Sequence, residues 1–470
     1  MPQSLICALL LASTALFAHF GQADSGSGSY AVDTPRHVIL IIGDGMDEHQ
    51  ITIARNYLEG ADGRLLLDQL PLRGAVQVLA REDRVDGQFI FVADSANTAT
   101  SMATGAITSR RRIGTSAGSD RALDNIVELA EGAGYRTGLV ATSSVTDATP
   151  AAFVAHVNSR FCQDPDNMVD VRIRDIPVGD CSQHLKANGG AGSISEQLAE
   201  SDLDVLLGGG SQYFRPDAEG QEISVLALAR RNGFHHVASQ SELSQAVPGP
   251  RLLGLFSERK MPVRLQGEGG RSAEAADRSL LNYVHPYLGA VTLPPIMNCE
   301  ANPAAASVPS LKQMTDAALA HLSHDNHQGF FLMIESASID KEAHERRPCG
   351  SIGEVEQLEE ALASALAFAG QNPRTLVLVT ADHSQAAQLI PFESLFSSYP
   401  IPIYPPGKVA RIRTPAGGLM TVSYATNNFA YEEHTGAAVP LYGNAEAVDL
   451  VPPFLQQPEL FRIMREYLGL

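Results

Sequence analysis

Positive charge is scarce in this sequence: 34 Lys and Arg stand against 53 Asp and Glu, a formal net charge of −19. That balance repels polyphosphate backbones at long range and argues against a nucleic-acid binder. A small anionic substrate would need a local positive focus of metals or arginines inside a pocket. Beyond the N-terminus no stretch reaches the roughly 18 apolar residues that a bilayer-crossing helix requires, so no membrane span is expected in the mature chain. No C-x-x-C pair occurs, which argues against a zinc site built from cysteines. Neither an internal repeat nor a low-complexity tract beyond Ser25 to Ser29 is present. What remains, 44% hydrophobic and 19% charged residues, is the composition of a soluble protein able to bury a large core.

The first 23 residues hold no Asp, Glu, Lys or Arg, and Leu5 to Phe20 is mostly apolar ahead of Gly21-Gln22-Ala23. A signal peptide over 1–23 is expected, followed by a flexible segment over 24–35, so the protein should be periplasmic or secreted. The amino group of Met1 alone supplies the charge that Lys or Arg usually gives such a leader. Cys7 falls inside it and leaves Cys162, Cys181, Cys299 and Cys349. An even number in an exported chain suggests two disulfides, and the sequential pairing, Cys162 with Cys181 and Cys299 with Cys349, closes the shortest loops.

Short apolar runs at His37 to Ile42, Thr137 to Ala141, Asp204 to Leu207, Phe330 to Ile334 and Thr375 to Thr380 look like buried parallel strands. Helical spacing appears over Ala122 to Ala130, Leu311 to Leu322 and Ile352 to Ala369. The alternation predicts an α/β sheet with helices on both faces. Ser182 to Gly192, Val247 to Gly270 and Pro391 to Gly418 look like loop-rich surface insertions. Acidic residues follow the strands repeatedly: Asp44, Asp147, Glu335 and Asp382-His383. Ligands in open α/β sheets bind beyond the strands' carboxyl ends, and carboxylates gathered there repel one another unless cations lie between them. Candidate ligands run from Asp44 to His434, so a single catalytic domain over 36–470 is expected.

Asp94-Ser95-Ala96-Asn97-Thr98-Ala99-Thr100 places a serine where a helix begins, and backbone N–H groups there favour an anion. Gly114-Thr115-Ser116-Ala117-Gly118 matches G-x-S-x-G but follows a basic run rather than a strand. A metal is therefore the expected activator of Ser95. Asp340 and His344, one helical turn apart, can reach one Zn²⁺, and Asp382-His383 directly after a strand can aim at another. The basic run Arg110-Arg111-Arg112 is expected to be a solvated loop, His321, His324 and His327 a polar helix face, and Gly208-Gly209-Gly210 a turn.

Together, Gly43-Asp44-Gly45-Met46, Asp94 to Thr100, Asp147-Ala148-Thr149-Pro150, His156 to Arg160, Glu335 to His344, Ala381-Asp382-His383 and Glu433-His434-Thr435-Gly436 resemble the alkaline phosphatase family, bacterial periplasmic type. The resemblance implies a three-layer α/β/α sandwich around a large, mostly parallel mixed sheet. It implies hydrolysis of small phosphate monoesters through a phosphoserine at Ser95, with Arg160 gripping the phosphate. One Zn²⁺ would be held by Asp340, His344 and His434, a second by Asp44, Asp382 and His383, and Mg²⁺ by Asp44, Thr149 and Glu335. Asp147 and Lys341 would tune the site. A homodimer and the sequential disulfides are implied as well. Asn97 and Thr98 depart from the small residues of some bacterial members, and an altered specificity is expected there.

Overall fold

The computed structural model describes residues 35–173 and 175–470, so the expected signal peptide and nearly all of the segment after it lie outside the described residues. Pro35 to Leu470 cluster as one compact unit. Ten strands make its main sheet: β1 (Arg36–Gly43), β2 (Leu72–Gln77), β3 (Arg136–Ser144), β4 (Val205–Gly209), β5 (Phe234–Val237), β6 (Arg251–Leu255), β7 (Gly329–Ser336), β8 (Thr375–Ala381), β9 (Val439–Gly443) and β10 (Phe454–Gln456). Their order is β10-β2-β9-β8-β1-β7-β3-β4-β6-β5. All neighbours run parallel except at β9, which is antiparallel to β8 and to β2.

The central strands are apolar almost throughout because both faces are covered: Val38 to Ile42, Phe330 to Ile334 and Leu376 to Val379 are fully buried. The helices that position the site are α1 (Glu48–Leu58), α2 (Ser95–Thr104), α3 (Ile126–Gly132), α4 (Ala148–Ala152), α5 (Leu311–Ser323), α6 (Ser338–His344), α7 (Pro348–Gln371) and α8 (Gln457–Leu468). In one layer α7 packs on α1 and α5; in the other α2 packs on α4 and α8. The expected α/β/α architecture with a mixed, mostly parallel sheet is the one observed.

Three boundaries differ from the sequence reading. The run Arg251–Leu255, placed in a loop-rich insertion, is strand β6, parallel to both β4 and β5. Five residues between proline- and glycine-rich flanks carry too little periodicity to stand out. Within 391–418, Lys408–Arg413 pairs antiparallel with Leu419–Tyr424 in a separate four-stranded sheet. Helix α3 starts at Ile126 rather than Ala122, because the Asn125 side chain caps it by accepting from Glu128 N. Both disulfides join the cysteines in the sequential pairing, Cys162–Cys181 and Cys299–Cys349.

Candidate active site

Strand register brings the acidic residues together. Ile42 of β1 lies opposite Glu335 of β7 on one side and Thr380 of β8 on the other, and Glu335 lies opposite Ala141 of β3. Parallel strands in that alignment deliver Asp44, Glu335 and Asp382 to the same carboxyl edge. Gly45 N donates to Asp382 Oδ1 at 3.0 Å. Gly45 has φ +69°, and a Cβ there would meet Asp340 Cβ at 3.0 Å, so both the conformation and the close approach require glycine.

Ser95 is the first residue of α2. Asp94 caps that helix by accepting from Asn97 N at 3.1 Å, and the Asn97 side chain accepts from Asp94 N at 2.9 Å. Asn97 Nδ2 donates to Leu79 O at 2.9 Å and Thr98 Oγ1 to Asp94 O at 2.9 Å, with both residues fully buried. These two residues therefore fix the start of the helix from within and line neither cavity beside the site. The Ser95 hydroxyl lies 3.1 Å from His383 Nε2.

Three imidazoles gather beside it. His344 Nδ1 donates to Glu432 O, His434 Nδ1 to Ala93 O at 2.9 Å, and His383 Nδ1 to Ser384 O at 3.2 Å. Each ring thus has its Nδ1 proton tied to a backbone carbonyl, which leaves Nε2 available as a ligand atom. His344 Nε2 stands 3.1 Å from His434 Nε2 and 3.2 Å from Asp340 Oδ2, and His434 Nε2 stands 3.4 Å from Asp340 Oδ1. His383 Nε2 is 3.4 Å from both Asp44 Oδ1 and Asp382 Oδ2. Two sets offer ligand atoms within 4.8 Å of one another: Asp340, His383 and His434, and Asp44, Asp382 and His383.

Cationic side chains occupy one flank. Lys341 Nζ lies 2.6 Å from Asp147 and 3.9 Å from Asp44, while Arg160 reaches Asp147 at 2.8 Å and Asp94 at 3.5 Å. Burial would raise the Asp147 carboxyl, but Lys341 and Arg160 overcome it and hold the group far below the usual range. Burial, with Asp382 and Asp340 adding repulsion, pushes Asp44 well up. Burial likewise lifts Glu335 to about 7 and Asp382 to about 6. Asp340 goes the other way: against burial, His344 and His434 hold it low. Burial and the neighbouring His434 depress His383.

The sequence-predicted residues Ser95, Asp44, Asp340, His344, Asp382, His383 and His434 are thus linked by these contacts, with Asp147, Lys341 and Arg160 beside them. Glu335 accepts from Ser143 Oγ at 2.6 Å. Thr149 is buried in α4, directly after the Asp147 cap. His321 instead bonds Ala317 O, and His324 faces Asp325, so those histidines do not converge. Arg112 departs from the expected solvated loop: it is buried and paired with Asp83 at 2.7 Å and with Asp120.

Sequence reasoning missed several supports. Gln385 Nε2 donates to Asp340 Oδ1 at 2.6 Å, and Asp47, the cap of α1, accepts from Ser384 Oγ at 2.7 Å. Their one signal was adjacency to Asp44 and to Asp382-His383. Arg346 and Glu432, which pair at 2.6 Å, had the same signal, each two residues from His344 or His434. Cavities of about 630 Å³ and about 470 Å³ border the centre, and His344 and Glu433 line both. A larger one, of about 740 Å³, lies elsewhere against Leu243 and His321 and touches none of these residues.

The family model for alkaline phosphatase matches residues 35–438. The chain is 38% identical over 446 residues to streptomycin-6-phosphate phosphatase of Streptomyces griseus, covering 93% of this chain and 91% of that protein. Against the alkaline phosphatase of Escherichia coli (strain K12) it is 37% identical over 443 residues, covering 93% and 86%. Among solved structures, the fold is similar to the alkaline phosphatase of the Antarctic bacterium TAB5, with a TM-score of 0.63, 23% identity and coverage of 93% and 99%. It is also similar to that of Thermus thermophilus, with a TM-score of 0.62, 20% identity and 96% coverage of each chain.

Proposed function

The chain belongs to the alkaline phosphatase family, enzymes that hydrolyse phosphate monoesters, and on that premise we propose that Ser95 is its nucleophile and Arg160 its phosphate clamp. The observation that carries this reading is the juxtaposition of the Ser95 hydroxyl with His383, inside a cluster of imidazoles whose Nδ1 protons are all committed to backbone.

The donor set suits the metals of the family. Asp44 Oδ1 and Asp382 Oδ2 are buried with no hydrogen-bond partner among the described residues, a costly state unless a cation satisfies them. Asp340, His344 and His434 would hold one Zn²⁺ and Asp44, Asp382 and His383 a second, imidazole-bearing sets in keeping with that ion. Asp44, Thr149 and Glu335, an all-oxygen set, would hold Mg²⁺. When bound, the cations supply Lewis acidity that favours ionised Ser95 and balances charge on the phosphoryl oxygens and the leaving alkoxide.

Arg160 grips the phosphate dianion with its planar fork, which Asp147 and Asp94 keep aimed. Ser95 Oγ, its proton given up to solvent, attacks phosphorus, the P–O bond to the alcohol breaks, and the alkoxide departs with its electron pair and takes up a proton from solvent. Water then cleaves the phosphoserine, releasing inorganic phosphate and restoring the hydroxyl, while Arg160 holds the phosphoryl oxygens through both steps. Asp147 and Lys341 tune the charge that this phosphate meets.

We read 36–470 as one catalytic domain behind a leader over 1–23, exported to the periplasm or outside the cell. Two disulfides support an oxidising compartment, and no helix among the described residues is long and apolar enough to cross a membrane. Membership of the family supports a homodimer. The test of the reaction is phosphate release from a simple aryl phosphomonoester by parent and Ser95→Ala, both folded and loaded with Zn²⁺ and Mg²⁺. Turnover should fall by orders of magnitude in the variant, and a variant that keeps the parental rate removes Ser95 from the mechanism.

A further inference from the structure

The cavity of about 470 Å³ beside the centre is lined by Asp94, Arg110, Arg111, His344, Glu433 and His434, among others. Two of those side chains stand out in a chain of net charge −19. Arg112, the third member of the basic run, is neutralised by Asp83 and Asp120, whereas Arg110 and Arg111 make no ion pair among the described residues. Arg110 is pinned to the wall: Nε donates to Val92 O at 2.8 Å and Nη2 donates to the same carbonyl, a contact that orients the guanidinium without cancelling its charge.

Arg111 is tied to the phosphate clamp through its backbone. Its N–H donates to Asp94 Oδ1 and Oδ2 at 3.0 and 3.1 Å, and its carbonyl accepts from Arg160 N at 2.7 Å. Its guanidinium lies 5.8 Å from the centroid of the Phe161 ring. The residue has φ +71°, a left-handed conformation that glycine adopts without penalty and arginine does not. Of the two carboxylates on this wall, Asp94 is already engaged by Asn97 N, Arg111 N and Arg160, and Glu433 borders the neighbouring cavity as well.

We propose that Arg110 and Arg111 form a subsite for a second anionic group, a carboxylate or a phosphate, carried by the alcohol half of the substrate near its ester phosphate. The inference rests on the reading of Ser95 and Arg160 as the reacting site. Its chemistry is that of the planar, always-charged guanidinium fork, which pairs with either anion through two parallel N–H···O contacts. The subsite would favour phosphorylated hydroxy acids and bisphosphates over esters with a neutral alcohol half.

The test uses the full metal-loaded enzyme and three substrates: the phosphomonoester of a short hydroxy acid, its methyl ester, and a bisphosphate of similar length. In the Arg110→Ala, Arg111→Ala double variant, kcat/KM for the doubly anionic esters should fall about tenfold, through KM, the size of one charge-assisted contact. The methyl ester should change less than about twofold, and Arg110→Lys, Arg111→Lys should restore part of the loss. A loss confined to the hydroxy-acid ester assigns a carboxylate subsite, and one confined to the bisphosphate assigns a phosphate subsite. Equal losses on charged and neutral esters, or none on any, overturn the subsite. A parent that leaves even the methyl ester intact overturns the Ser95 reading itself.

Discussion

Arg346 and Glu432 pair at 2.6 Å with both side chains buried, and the carbonyl of Glu432 accepts from His344 Nδ1. The pair fastens the segment that carries His434 to the end of the helix that carries Asp340 and His344. Glu432→Ala would strand a buried guanidinium, at about 3–5 kcal/mol of stability. Because the orientation of His344 goes with it, zinc affinity should drop about 10- to 100-fold. Thermal unfolding and zinc retained after dialysis measure both, and an unchanged zinc content would show that the pair does not position His344.

Lys341 supplies the ammonium nearest Asp147 and Asp44. Lys341→Met removes a positive charge from beside the proposed Mg²⁺ ligands and the phosphate alike. Magnesium should therefore half-saturate at lower concentration, while the inhibition constant for inorganic phosphate should rise about tenfold. Titrating activity with each ion separates the two effects, and tighter phosphate inhibition would contradict the assignment.

Asn97 completes the capping box ahead of Ser95 and anchors it to Leu79 O. Asn97→Ala should cost about 1–2 kcal/mol and lower kcat several-fold by loosening the turn that aims the hydroxyl. Substrate preference should hold, since the residue is buried away from both cavities. Denaturant unfolding and kcat/KM on two unlike phosphomonoesters are the checks.

Glu131, outside the site, is pushed up to about 7 by burial, with the Thr137 hydroxyl opposing and Asp202 and Asp204 adding to the rise. The folded protein keeps this proton where the unfolded chain has lost it. The resulting stability is complete below the ordinary glutamate value of 4.5 and is lost as pH climbs through about 7. Glu131→Gln, neutral throughout, should show a shallower decline of stability across that window than the parent. Parallel slopes in the two proteins would rule out the contribution.

Much of the fold was legible because parallel strands covered on both faces must be apolar throughout, and the five runs read as strands all lie in the main sheet. Arg251–Leu255 escaped because five residues carry no period to read. The carboxylates at strand ends were legible as residues, since charge directly after an apolar run stands out in any sequence. Ser143, Gln385 and the Arg346–Glu432 pair were not, since each acts through a partner that the chain brings near only on folding.

The family is legible in the spaced motifs that resemble it, and the sheet with its two helical layers and the acidic and imidazole groups at the carboxyl edge are legible in local period and residue chemistry. Which atoms face one another depends on the folded chain. Strand register sets Ile42 level with Glu335 and Thr380, backbone carbonyls select the free nitrogen of His344, His383 and His434, and packing neutralises Arg112 while leaving Arg110 and Arg111 charged at a cavity wall. These are distances between residues far apart in the chain, and no local pattern encodes them.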